Sequence, residues 1–113
     1  MELRSPDPTM NPYLAFALII AAGLEGMEKQ LSLPPAVDVD LYNADESVTA
    51  NLTELPKSLE QAIELAENSD LVKAVVGEEL LAKYIALKKE EAAAFAAAED
   101  KTVFYREKYF RLY

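Results

Sequence analysis

The chain has 113 residues, enough for one small domain, and 51 % of them are hydrophobic, so a packed core is expected. Twenty acidic residues against 11 basic ones give a net charge of −9 at pH 7, which opposes general binding to nucleic acid or to an anionic membrane. The absence of cysteine and histidine excludes disulfides, zinc–thiolate sites and imidazole catalysis, and fits a cytoplasmic location.

The N-terminal residues do not have the pattern of a secretory signal peptide, so none is expected. The stretch 1–10 contains charges and two prolines rather than an apolar core followed by a cleavage site. The most apolar run, residues 13–24, is shorter than the about 18 residues that a membrane span needs. We therefore expect no membrane segment. Pro6 and Pro8 exclude a helix over residues 2–9, which we predict to be extended and strand-like.

A helix is predicted from Asn11 to about Gln30. Asn11 can cap it, and Pro12 suits the first helical position, where its missing N–H costs nothing. The first half, residues 13–22, is apolar all round, which is typical of a helix buried on every side. The shorter helices that follow would hardly cover it. The chain is therefore either a segment of a larger protein or a loosely packed four-helix domain.

Residues 33–57 show no regular pattern, and acidic side chains surround Tyr42 there. A loop of this length is unusual in a small domain, so it is either functional or made to lie on another surface. Beyond it, Ser58 is followed three residues later by glutamine, which forms a capping box for a helix that ends near Asn68. Ser69 or Asp70 can cap a further short helix that Gly77 stops.

The longest helix is predicted over about residues 78–98, and a last one over about 103–112, capped by Thr102 or Asp100. The buried side of the longest helix is predicted to carry Leu81, Tyr84, Ile85, Ala92 and Phe95. Aromatic residues at helical spacing in the last helix indicate a docking face rather than a surface for nucleic acid. The predicted fold class is mainly α, with an extended, strand-like N-terminus.

Residues 2–16, ELRSPDPTMNPYLAF, resemble the last part of the catalytic domain of bacterial type I glutamine synthetases. That family carries an E-x-R pair, a proline-containing turn and N-P-Y-L-A-F, and its apolar helix ends in A-G-L-x-G, as residues 22–26 do here. The resemblance continues more loosely at Leu41-Tyr42, at residues 55–62 and at Tyr84-Ile85-Ala86.

This resemblance implies that residues 1–113 are a single segment, the C-terminal portion of an α+β catalytic domain. The family joins glutamate and ammonia through γ-glutamyl phosphate, using ATP and Mg²⁺ or Mn²⁺, in homo-oligomers whose active sites lie between subunits. Most of the family's active site has no counterpart in this sequence. We therefore expect the isolated chain to be inactive and to bind no cofactor on its own.

The resemblance also assigns roles to individual residues. It makes Glu2 a metal ligand, and Arg4 a catalytic and substrate-binding residue that contacts glutamate and the transferred phosphoryl group. On an extended strand, residues two apart share a face, and a guanidinium can grip a carboxylate or phosphoryl oxygen with two bonds. Spacing alone would support only a surface ion pair between these two side chains.

Two alternatives remain open at this stage. Tyr42 matches the place where some family members are adenylylated, although its flanking residues differ, and it is otherwise an ordinary loop tyrosine. The chain as a whole is otherwise a stand-alone helical interaction module that docks on a full-length synthetase or another partner.

Overall fold

The computed structural model describes residues 3–50 and 52–110. Over these residues the chain is mainly helical and contains no strand, which confirms the predicted fold class. The elements are α1 (Pro12–Glu28), α2 (Glu46–Thr49), α3 (Leu59–Asn68), α4 (Asp70–Val76), α5 (Glu78–Ala97) and α6 (Lys101–Tyr109). Residues 3–5 have no regular secondary structure, so the strand-like N-terminus stays a prediction.

The helices begin where the predicted caps place them. The Asn11 Oδ1 atom accepts hydrogen bonds from the backbone N–H groups of Tyr13 (3.0 Å) and Leu14 (3.3 Å). Ser58 and Ser69 cap α3 and α4 in the same way, each through its hydroxyl oxygen. Asp100, rather than Thr102, caps α6. These bonds satisfy N–H groups that the first turn of a helix leaves without a partner.

Replacing Asn11 with alanine is expected to lower the free energy of unfolding by about 1 kcal/mol, because two N–H groups of α1 lose their acceptor. Urea denaturation followed by circular dichroism measures this loss. The Asn11→Asp variant keeps a side-chain acceptor and should stay close to the parent. Equal losses in the two variants would show that the cap contributes nothing.

The core is small and lies between α3, α4 and α5. Its buried side chains are Ile63, Leu81, Ile85 and Ala92, each about 5–6 % exposed, with Ala66, Val72 and Val76 packed around them. Gly77 joins α4 to α5 with φ +83°, a conformation that a residue with a side chain rarely adopts. Helix α1 lies against α4, at one side of this core.

The predicted buried side of α5 is confirmed at Leu81, Ile85 and Ala92 and wrong at Tyr84. Tyr84 is 42 % exposed, and the Lys88 ammonium lies 5.8 Å from the centroid of its ring. Phe95 is half-buried and packs against the rings of α6 instead of the core.

The chain is more open than its composition predicts. It exposes 9818 Å², whereas a compact monomer of its mass would expose about 6,200 Å². Its radius of gyration is 17.0 Å, against about 13 Å for a compact domain of this length. Almost all described residues of the long segment between α1 and α3 are exposed, so this segment adds little to the core.

None of the residues of α1 is buried, which confirms the expectation that the shorter helices of this chain do not cover it. One face of α1 rests on α4, and the other faces solvent. Five large apolar side chains form that outer face, which we call the α1 stripe: Tyr13, Phe16, Ile20, Leu24 and Met27. Their spacing of three or four residues places all five on one side of the helix.

Helix α6 is held against the end of α5 by a polar network and by edge-to-face and tilted contacts between aromatic rings. The Tyr109 hydroxyl donates a hydrogen bond to the Glu91 Oε1 atom, and the Lys88 Nζ atom lies 3.0 Å from Glu91 Oε2. Burial raises the pKa of Glu91, but these bonds and the charges of Lys88 and Lys108 outweigh it, so the pKa lies below its ordinary value. The ionised form of the Glu91 side chain is therefore the one that holds α6 against α5.

This network predicts a pH dependence. Because the pKa of Glu91 is lower in the folded state, its stabilising contribution is present above about pH 4.5 and is lost as the pH falls through the folded-state value. The Glu91→Gln variant should therefore be less stable than the parent at pH 7, and this difference should shrink toward pH 3. The exposed neighbour Glu90→Gln is the control, measured by urea denaturation at each pH. A pH-independent difference for Glu91→Gln would contradict the assignment.

Candidate functional site

A short turn connects the segment that carries Arg4 to α1. The Thr9 backbone N–H and its hydroxyl both donate to the Asp7 Oδ1 atom, at 2.7 and 2.5 Å, and the Met10 N–H donates to the Asp7 carbonyl oxygen at 3.1 Å. The hydrogen bond from the Thr9 hydroxyl, followed by that from its N–H, holds the pKa of Asp7 below its ordinary value. The turn ends at Asn11, the cap of α1, so the N-terminal segment leaves the helix in a defined direction.

Arg4 lies just before this turn and is exposed to solvent. A guanidinium in such a position offers a planar set of donors that can hold a carboxylate or a phosphoryl oxygen with two parallel hydrogen bonds. Glu2, the predicted metal ligand, lies outside the described residues. The predicted juxtaposition of Glu2 and Arg4 on one face is therefore untested.

The described residues do not assemble a complete metal site. Over residues 3–50 and 52–110, no three acidic side chains lie close enough together to hold a metal ion. A catalytic Mg²⁺ needs about six oxygen ligands.

Tyr42 lies on a turn that Asp40 stabilises. The Asp40 Oδ1 atom accepts from the Tyr42 backbone N–H at 3.1 Å, and its Oδ2 atom accepts from the Asn43 side-chain amide at 2.7 Å. The Tyr42 side chain itself is 99 % exposed. Its phenol is therefore accessible to a modifying enzyme, and the acidic residue beside it has a local structural role.

Sequence reasoning missed α2, which lies in the segment predicted to be irregular. Asp45 caps it through a hydrogen bond from the Ser47 N–H at 3.5 Å. Four residues are too few to show a helical period, so the capping aspartate was the only available signal. The hydrogen bonds around Tyr42 and those of the turn before α1 each join residues that are close in sequence. They therefore do not connect the Tyr42 region with the Arg4 segment.

A shallow groove between α3 and α5 was also not predicted. Its floor is apolar, and glutamates of α3 line its rim together with Lys89: the lining residues are Glu60, Ile63, Glu64, Glu67, Lys89, Ala92, Ala93 and Ala96. Lys89 forms an ion pair with Glu67 at 2.7 Å across the groove. This pair joins the two helices. We assign the pair a structural role.

No helix in the described parts of the chain has the length and apolar character that crossing a bilayer requires.

Comparison with known proteins identifies the family. The family described as "Glutamine synthetase, catalytic domain" matches residues 1–107. The glutamine synthetase of Methanococcus voltae is 34 % identical over 114 residues, which cover 99 % of this chain and 25 % of that protein. The glutamine synthetase of Mycolicibacterium smegmatis is 40 % identical over 80 % of this chain and 21 % of that protein.

A third relative is named for a different activity. The gamma-glutamylethanolamide synthetase of Streptomyces coelicolor is 42 % identical over 86 % of this chain and 20 % of that protein. The chain thus spans about a fifth to a quarter of the length of the curated relatives it matches, and these include archaeal and bacterial proteins. Because the family match covers nearly all of the sequence, the chain belongs to the glutamine synthetase catalytic-domain family.

Proposed function

We propose that this chain is the C-terminal segment of an ATP-dependent glutamate–ammonia ligase of the bacterial type I class. The family match over residues 1–107 carries this proposal. The stand-alone interaction module is less well supported, because a module would not need the catalytic-domain sequence over its whole length. The E-x-R and N-P-Y-L-A-F motifs favour type I, and a cytoplasmic location fits the composition.

In the intact enzyme, Arg4 would hold glutamate and the phosphoryl group that is transferred to its γ-carboxylate. Negative charge develops on the phosphoryl oxygens during this transfer, and a fixed guanidinium stabilises it. The exposure of Arg4 and the turn that ties its segment to α1 support this role. Glu2 would contribute one ligand to Mg²⁺ or Mn²⁺, which neutralises phosphate charge when bound.

The partners of the intact enzyme would be glutamate, ammonia, ATP and further copies of the same subunit. A second substrate class has one specific observation in its favour, the relative that is named for the ligation of ethanolamine. Offering ammonia, ethanolamine and longer amines to the intact enzyme would separate the two. We expect the highest kcat/KM with ammonia.

Tyr42 is a candidate for adenylylation in the intact enzyme. Its full exposure on an ordered turn supports this, since a modifying enzyme must reach the phenol oxygen. Mass spectrometry of the protein from nitrogen-replete cells is expected to show an AMP adduct on Tyr42, and a peptide that is always unmodified would contradict the proposal.

A chimera tests the proposed activity. In it, this chain replaces the matched quarter of the Methanococcus voltae protein. The chimera should form γ-glutamyl hydroxamate from glutamate, ATP and hydroxylamine, whereas the pure 113-residue chain should form none. A folded chimera without this activity would refute the proposal, and activity of the isolated chain would refute the expectation that it lacks essential parts.

A further inference from the structure

The groove between α3 and α5 takes no part in the proposed reaction, yet it has room for another molecule. Its volume is about 370 Å³, and pockets that hold ligands begin at about 300 Å³. Ile63 and Ala92 are buried at its floor, whereas Ala93 and Ala96 line it and are exposed. The groove is therefore large enough, and apolar enough at its base, to receive side chains from outside this chain.

The shape of the groove matches one face of a helix. On α5 it extends from Lys89 to Ala96, which is two helical turns or about 10 Å. The ion pair between Lys89 and Glu67 spans the groove at one end, and the remainder is open between the two helices. A helix presents side chains every three or four residues along one face, so about three of them would enter an opening of this length.

Helix α5 changes in character where it borders the groove. Its first part, residues 78–91, carries charged residues throughout, whereas residues 92–97, AAAFAA, carry none. A helix face that meets only water usually carries polar residues. Alanine side chains allow a second helix to come close, because the distance between two helix axes depends on the side chains at their contact. This part of α5 therefore favours a helical partner.

The rim of the groove is acidic. Glu60, Glu64 and Glu67 are spaced four and three residues apart, so they form one line along α3. Among the described residues only Glu67 has a cationic partner, and Glu60 and Glu64 form no ion pair. The hydrogen bond from its own backbone N–H, followed by that from the Ser58 hydroxyl, holds the pKa of Glu60 below its ordinary value. A partner that carries basic residues would supply the missing countercharges.

We propose that the groove between α3 and α5 binds a basic amphipathic helix of another protein. The apolar side of this helix fills the groove, and its lysine or arginine side chains pair with Glu60 and Glu64, as charge-assisted hydrogen bonds to carboxylates require. A second copy of this chain is disfavoured as the occupant, because each copy carries a net charge of −9. The docking site is independent of the proposed function, since it uses neither Glu2 nor Arg4.

A synthetic peptide serves as the probe. It has about 18 residues, with leucine on one face of a helix and lysine on the other, and it carries a fluorophore. Fluorescence anisotropy with the 113-residue chain should show saturable binding that weakens as NaCl is added, because salt screens the ionic contacts at the rim. A peptide of the same pattern with glutamate in place of lysine should not bind.

A groove-filling substitution locates the bound peptide. Ala93→Trp places a large side chain in the groove, whereas Ala94→Trp makes the same change at an exposed position of α5 that does not line it. We expect Ala93→Trp to raise the Kd at least about tenfold and Ala94→Trp to change it less than about twofold. Circular dichroism of both variants checks that the helices are retained.

A second pair of variants tests the charges without changing the shape of the groove. The double change Glu60→Gln and Glu64→Gln removes two rim carboxylates, and Glu99→Gln with Glu107→Gln removes the same charge from exposed positions outside the groove. The first double variant should raise the Kd at least about tenfold at low salt, and the second less than about twofold.

Four outcomes would overturn the proposal. Failure of the leucine–lysine peptide to bind would do so, as would equally tight binding of the leucine–glutamate peptide. Equal affinities of Ala93→Trp and Ala94→Trp would place the peptide elsewhere, for example on the α1 stripe. Self-association of the chain that Ala93→Trp abolishes would make a second copy the occupant. Synthetase activity enters none of these measurements, so a failure of the proposed function is detected separately.

Discussion

Replacing Arg4 with alanine in the chimera is expected to lower kcat by about 100- to 1,000-fold, the usual effect of removing one donor that stabilises transition-state charge. Arg4 is exposed and lies ahead of the turn that connects to α1, so its loss should leave the fold intact. The Arg4→Lys variant keeps the charge but loses the planar pair of donors, and we expect an intermediate kcat. Steady-state formation of γ-glutamyl hydroxamate measures both.

The matched control for Arg4 is Arg106→Ala, which removes the same charge from an exposed position on α6. It should change kcat less than twofold. Equal losses at the two positions would indicate a general electrostatic effect, and an Arg4→Ala chimera with more than a third of the parental kcat would contradict the catalytic role. An unchanged circular dichroism spectrum assigns the loss to chemistry rather than to unfolding.

The helices of this chain could be predicted because their ends carry local chemical signals. Asn11, Ser58 and Ser69 each accept hydrogen bonds from N–H groups two or three residues ahead, an arrangement that depends on nearest neighbours only. Gly77 stops α4 because it has a positive φ angle. Capping therefore predicts where these helices begin.

The surroundings of the helices could not be predicted, since packing depends on which surfaces meet. An all-apolar α1 indicates burial, yet Tyr13 is 85 % exposed, because the described residues of this chain supply only α4 to cover the helix. Tyr84 has helical spacing with Leu81 and Ile85 but lies at the edge of a narrow core. Periodicity gives the direction of a side chain and not the depth at which it lies.

The candidate site was predictable only through the family resemblance. A glutamate and an arginine two residues apart occur on many protein surfaces, and their spacing alone supports only a surface ion pair. The fifteen-residue match over residues 2–16 is what assigns a function to this pair. The match also includes the turn at Asp7 and the helix cap at Asn11, both of which the structure contains.

Replacing Ile85 with alanine is expected to have the largest effect on stability. Ile85 is 5 % exposed and is one of the four buried hydrophobic side chains among the described residues, so its truncation leaves a cavity in a small core. Isoleucine-to-alanine changes in a core cost about 2–5 kcal/mol. The free energy of unfolding of small domains is about 5–15 kcal/mol in total. A chain that leaves so much surface exposed is expected to lie near the lower end of this range.

Leu87→Ala is the control for Ile85→Ala, because Leu87 is on the same helix, loses a similar volume and is 64 % exposed. It should change the free energy of unfolding by less than about 0.5 kcal/mol. Urea denaturation should show a cooperative transition for Leu87→Ala, and a much lower midpoint or no transition for Ile85→Ala. Equal effects would mean that the buried cluster does not stabilise the isolated chain.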